Sequence, residues 1–200
     1  MLEDLVSQSI ELPGGDLHVL QPRESAELPD TGPVEWAPIA PYWSVLWRSG
    51  VALARELDGA PLGGLRVIEL GCGLGLPSLT AARAGATVLA TDESPEALTL
   101  VARNAHANGL RVQTATVDWT EPEQIADRAP FDVVLASDLL YENAAVAPLL
   151  SLLPRLAPVA WLADPGRPAV DMFLEQVGRR GWTVETRLRD AVRIHRLRLS

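Results

Sequence analysis

The 200-residue chain is 48% hydrophobic, enough apolar material for one domain-sized core, and carries a formal net charge of −9. Its 17 basic residues are all arginine, which excludes a Schiff-base lysine or a phosphate-loop lysine by inspection. Eight acids (Glu3, Asp4, Glu11, Asp16, Glu24, Glu27, Asp30 and Glu35) face Arg23 alone in the first 35 residues, a bias opposed to the basic stripe of a nucleic-acid binder.

No apolar run reaches the roughly 18 residues needed to cross a bilayer. The nearest stretch, Ala144 to Ala163, is broken by Pro148, Pro154, Arg155 and Pro158, so no membrane contact is expected. The start, "MLEDLVSQSIEL", is acidic where an export signal is basic, and the single cysteine, Cys72, fits a reducing cytoplasm.

"IELPGGDLHVL" reads as a hairpin around Gly14-Gly15, and residues 21–41, rich in proline and acids, as a mobile segment. "YWSVLWRSGVALAREL" reads as a helix with Leu46, Gly50, Leu53, Ala54 and Leu57 on one face. From Leu65 onward strands and helices alternate. "LRVIEL", "ATVLATD", "LRVQTATVDW", "FDVVLASD" and "VAWLAD" read as strands. Helices are expected over Leu76–Ala84, from Ser94-Pro95 to Asn108-Gly109, near Ala144–Leu156 and near Ala169–Arg180. "WTVETRL" and "VRIHRLRL" have no helix between them and read as an antiparallel hairpin. The pattern predicts an α/β fold: a Rossmann-like, seven-stranded, mostly parallel sheet, helices on both faces, and a C-terminal antiparallel hairpin.

Ligands of such sheets bind beyond the carboxyl ends of the strands. Those ends carry Glu69, Asp92, Asp118-Trp119, Ser137-Asp138 and Asp164. Gly71, Gly73 and Gly75 stand at alternate positions, whereas a dinucleotide fingerprint would need its last glycine where Leu76 stands. A carboxylate at Glu69 opposes a pyrophosphate but suits an amino-acid ammonium; the alternative to that ligand role is a cap on the following helix. Asp92 can accept both ribose hydroxyls, and Trp119 offers an apolar face to an adenine with Asp118 near its amine. Together these describe S-adenosylmethionine. His18, His106 and His195 are scattered, so no metal site is expected.

The segments "YWSVLWRSGVALA", "VIELGCGLGLPSL", "ATDESPEAL", "VDW", "FDVVLASDLLYE" and "ADPGR" resemble class I (seven-β-strand) S-adenosylmethionine-dependent methyltransferases. More narrowly, the chain is similar to the branch of methyltransferase-like protein-lysine methyltransferases and electron-transfer-flavoprotein β-subunit lysine methyltransferases. The resemblance implies a single methyltransferase domain, with residues 1–41 an acidic arm and 42–200 the core. It implies a cofactor site of Trp47, Gly71, Cys72, Gly73, Asp92, Trp119 and Ser137, to which the strand-end reading adds Glu69. It also implies a cytoplasmic, monomeric enzyme acting on a protein lysine; a small-amine N-methyltransferase resembling nicotinamide N-methylases and a non-catalytic binding module remain alternatives.

Methyl transfer from a sulfonium is an in-line displacement, so the site chiefly aligns a lone pair with the methyl carbon. Asp138 is placed to orient an amine and Tyr141 to wall the pocket; both are assigned as catalytic. The alternative is Asp138 as a helix N-cap with Tyr141 packed inward. "SDLLY" lacks the prolines of the N/D-P-P-Y motif used on amide and base nitrogens, while acids at Asp138, Glu142 and Asp164 favour a cationic acceptor. Arg167 can border the substrate or pair with Asp164.

Overall fold

The computed structural model describes residues 2–26, 41–121 and 123–200. A hairpin, β1 (Leu5–Ile10) and β2 (Leu17–Pro22), precedes a single helical turn, α1 (Arg23–Ala26). Of the stretch expected to be mobile, Gln21 and Pro22 belong to β2 and 23–26 to α1, while 27–40 lies outside the described residues.

The helix expected from Tyr42 is shorter. Tyr42–Ser44 forms one 3₁₀ turn, Val45 and Trp47 are extended (ψ 136° and 143°), and α2 begins only at Arg48 and ends at Leu57. The reason is a close crossing: the Trp43 carbonyl passes 3.1 Å from where a Cβ on Gly73 would sit, so this stretch lies over the glycine loop.

The main sheet then builds in alternation: β3 (Arg66–Leu70), α3 (Leu76–Arg83), β4 (Thr87–Asp92), α4 (Pro95–Ala107), β5 (Gln113–Thr116), α5 (Glu123–Ala126) and β6 (Val133–Ser137). It continues through α6 (Val146–Leu156), β7 (Val159–Asp164), α7 (Pro168–Gly178), β8 (Trp182–Arg189) and β9 (Val192–Leu199). The order is β5-β4-β3-β6-β7-β9-β8, with β9 alone antiparallel to both neighbours. Seven strands, the helical layers and the terminal hairpin are as the sequence implies; β5 is four residues where ten were expected, with Leu110 to Val112 and Val117 to Trp119 outside the strand.

One face is covered by α6 and α7, with Leu149, Leu153, Phe173 and Val177 on Ile68, Val134 and Leu162. The other is covered by α2, α3 and α4. Each fully buried side chain of the Phe173 or Leu53 kind contributes about 1.5–3 kcal/mol. The Asp190-Ala191 turn joins β8 to β9 with both residues left-handed (φ 51° and 62°), matching the twist of a two-residue hairpin. The N-terminal hairpin is clasped to α4: Leu20 N donates to Asn104 Oδ1 (2.7 Å), and Asn108 exchanges bonds with the His18 backbone (2.9 and 2.7 Å). No helix among the described residues is long and apolar enough to cross a membrane.

Candidate active site

Strand order reverses at β3, between β4 and β6, and a cleft of about 760 Å³ opens beyond the carboxyl ends there. A larger, shallower hollow of about 840 Å³ lies between α4 and β5, but its lining of Leu98, Ala102, His106 and neighbours includes no carboxylate among the described residues.

Gly71, Gly73 and Gly75 form the cleft floor, all left-handed (φ 60°, 50° and 77°). A side chain at Gly73 would press on the Trp43 carbonyl, and one at Gly75 would come within 2.8 Å of Val101. Asp92, at the end of β4, fastens this loop: Oδ2 accepts from Gly73 N (2.9 Å) and Oδ1 from Ser94 N (3.0 Å). Each oxygen keeps further acceptor capacity toward the cleft it lines. Burial pushes the Asp92 pKa up, opposed by those backbone donors. Burial also raises the Cys72 thiol, which stays protonated as a loop filler.

Glu69 lies behind the loop, fully buried and absent from the cleft wall. Its Oε2 accepts from Ser78 N (2.9 Å) and Ser78 Oγ (2.5 Å) in the first turn of α3, the capping arrangement. Its Oε1 is buried without a partner among the described residues. Burial raises its pKa from 4.5 to about 8, so the group is mostly neutral at pH 7.

Beyond β5, Asp118 Oδ1 accepts from Thr120 N (2.9 Å) and Oγ1 (2.5 Å), and Trp119 joins it in the cleft wall. Across the cleft, Ser137 ends β6 and Asp138 follows with φ 55°. No helix starts at Asp138, and Tyr141 is 62% exposed, so neither the N-cap nor the inward-packing alternative describes them. Arg167 Nη1 instead pairs with Asp138 Oδ1 and with Asp164 Oδ2 (2.9 Å). Asp164 Oδ1 meanwhile accepts from Gly166 N and Arg167 N (both 2.6 Å), fixing the turn that presents the guanidinium. Burial raises the Asp138 pKa; the Arg167 charge opposes it.

The rim is aromatic. Tyr42 stacks on Tyr141 with centroids 6.4 Å apart and tilts toward Trp47 at 6.3 Å, whose Nε1 donates to the Tyr42 carbonyl (2.9 Å). Of the residues singled out from sequence, Trp47, Gly71, Cys72, Gly73, Asp92, Trp119, Ser137, Asp138 and Tyr141 all line the cleft, and Glu69 does not. Tyr42 and Trp43 were missed because the stretch read as helix interior; the signal was the adjacent "YW".

From the aromatic rim to the start of β7, residues 42–160 match the protein family described as lysine methyltransferase. The chain belongs to that family. Among curated relatives of this lysine methyltransferase family chain, Protein N-lysine methyltransferase METTL21A of Danio rerio is 34% identical over 121 residues, 57% of this chain and 55% of that one. The electron transfer flavoprotein beta subunit lysine methyltransferase of Mus musculus is 31% identical over 146 residues, 66% and 54% of the two chains. The chain thus spans about half the length of the curated relatives it matches. Among solved structures, the Thermus thermophilus 16S rRNA N2 G1207 methyltransferase RsmC, in complex with AdoMet and guanosine, superposes with TM-score 0.72 at 18% identity, over 99% of this chain and 51% of that one. The magnesium protoporphyrin IX methyltransferase of Synechocystis, with bound SAM, gives 0.60 at 22%, over 76% and 79%. At such identities these structures share the fold.

Proposed function

We propose that the chain is an S-adenosylmethionine-dependent N-methyltransferase whose acceptor is a protein lysine side chain, working in the cytoplasm. The cofactor fits features of this cleft: a floor of left-handed glycine backbone, a carboxylate at Asp92 with acceptor capacity to spare, and an indole at Trp119 beside Asp118. Trp47, Gly71, Cys72, Gly73, Asp92, Trp119 and Ser137 would hold it, with Glu69 bracing the loop from behind through Ser78. When bound, it supplies an electrophilic methyl carbon on a sulfonium.

The chain's own residues do the rest. The observation that carries the acceptor assignment is Asp138, a mostly buried carboxylate at the cleft mouth, held by Arg167 beside the Tyr42–Tyr141 pair. Asp138 accepts a hydrogen bond from the incoming amine, turns its lone pair inward and receives the proton that must leave. Arg167 keeps Asp138 in place and opposes the burial that would neutralise it. The tyrosine rings border the alkyl stem and disfavour water around the ammonium.

The test is incubation with methyl-labelled cofactor and a lysate of the source organism, followed by hydrolysis of the labelled fraction. Methyl-lysine in protein is expected; because the chain has no lysine, side-chain label of that kind cannot come from the enzyme itself. Label only in small molecules would replace the acceptor with a small amine. Absence of calorimetric binding of the cofactor by folded protein would leave the non-catalytic reading.

A further inference from the structure

The two edges of the main sheet are unlike. β5 is four residues long, which leaves little backbone for another strand to pair with. β8 is eight residues long, pairs with β9 alone among the described residues, and is exposed from Thr183 to Leu188. It has no proline and no left-handed residue within its span. Charge is one way natural sheets blunt such an edge, and β8 carries Glu185, Arg187 and Arg189. Here it also displays Val184 and Leu188, 37% and 74% exposed.

We propose that β8 is a dimerisation strand that pairs antiparallel with β8 of a second copy of this chain, about a two-fold axis through Thr186. The sequence "WTVETRLR" is self-complementary in that register and in no neighbouring one. With Thr186 opposite itself, Val184 meets Leu188 of the partner subunit, and Glu185 meets Arg187 of the partner subunit, each twice by symmetry. Moving the axis to Glu185 or to Arg187 sets like charges directly opposite. Shifting it by half a residue pairs Val184 with a charge. The true register also keeps faces consistent. Val184, Thr186 and Leu188 share the α7 side, where Thr186 bonds His195, and Glu185, Arg187 and Arg189 share the α2 side, near Glu56.

Electrostatics make the edge selective for itself. Arg187 already pairs with Glu185 along its own strand (2.7 Å), so the dimer extends an existing pair into an alternating Glu–Arg quartet. The cleft lies beyond β3, β4 and β6, at the other side of the sheet, so pairing leaves both clefts open. This departs from the monomer expected from sequence, and it stands or falls independently of the reaction proposed above.

Sedimentation velocity over a concentration series of the full chain tests it, with circular dichroism reporting folding for each protein. The wild type is expected to dimerise. E185R and R187E are each expected to weaken the dimer by about tenfold or more, because two attractive cross-strand pairs become repulsive. The double swap E185R/R187E restores opposite charges and is expected to recover it. A wild type that stays monomeric, single variants that dimerise unchanged, or a double variant that fails to recover would each overturn the proposal. T186C supplies a measurement independent of charge: residue 186 faces itself within disulfide reach, so mild oxidation is expected to yield a covalent dimer, and none forming counts against the pairing.

Discussion

The two halves of the cleft are built differently. Around the glycine loop, the cleft is shaped by backbone: three left-handed glycines, fastened by the Asp92 carboxylate through two main-chain N–H groups, with Glu69 of β3 buried behind them and bonded to the first turn of α3. At the mouth, the walls are side chains that converge from Tyr42, Asp138, Tyr141, Asp164 and Arg167, held by ion pairs and ring contacts. The first half has one shape and suits a ligand that never changes. The second can be retuned by substitution without disturbing the sheet, which suits the part of a family that meets its varied acceptors.

If that contrast is right, damage to the loop abolishes cofactor binding, whereas damage to the mouth slows transfer and leaves binding intact. Gly73→Ala should have the largest effect, since a Cβ 3.1 Å from a backbone oxygen at φ 50° forces the loop to move. Calorimetry is expected to show cofactor affinity falling by about 100-fold or beyond detection. Asp138→Ala should lower kcat by about 100-fold with cofactor affinity unchanged; a parallel loss of affinity would merge the two halves. Arg167→Met removes the charge that opposes burial of Asp138, so the acid limb of the pH–rate profile is expected to move to higher pH.

Glu69→Gln sharpens the loop side. Its folded pKa of about 8 lies above the ordinary 4.5, so the neutral form stabilises the fold. That contribution is complete below pH 4.5 and is lost as pH rises through about 8, a change of a few kcal/mol in order of magnitude. Chemical denaturation across that range should show the wild type losing stability and the glutamine variant, which keeps an acceptor for Ser78, losing less. Tyr141→Ala, at a ring 62% exposed, is expected to do least: a rise in KM for the acceptor of about threefold to tenfold, as befits loss of one exposed ring contact.

The loop half was legible in the sequence because glycine spacing and strand-end acids are local signals. Gly71, Gly73 and Asp92 need only the alternation of strand and helix to be placed. Glu69 was legible as a residue but not as a contact, since whether a carboxylate faces the cleft or the helix behind it depends on a side-chain choice that spacing does not encode. At the mouth, Asp138 and Tyr141 were found through the strand end, but their partners come from 29 and 99 residues away respectively, Asp138 to Arg167 and Tyr141 to Tyr42, and pairwise contacts of that range leave no periodic trace. The helix expected from Tyr42 failed for the same reason. Its apolar spacing continues through Leu46, while the chain is drawn into extended form by the loop it crosses.

The clasp between the N-terminal hairpin and α4 has a consequence for how the chain is made. Asn104 accepts from Leu20 and donates to the Leu74 carbonyl (3.2 Å), so one amide joins the first strands to the glycine loop. An isolated two-stranded hairpin is marginal in water. The hairpin therefore waits for more than 80 further residues before its anchor exists, since the Leu20–Asn104 bond spans 84 positions. Cleft and hairpin should then mature together, in one cooperative step.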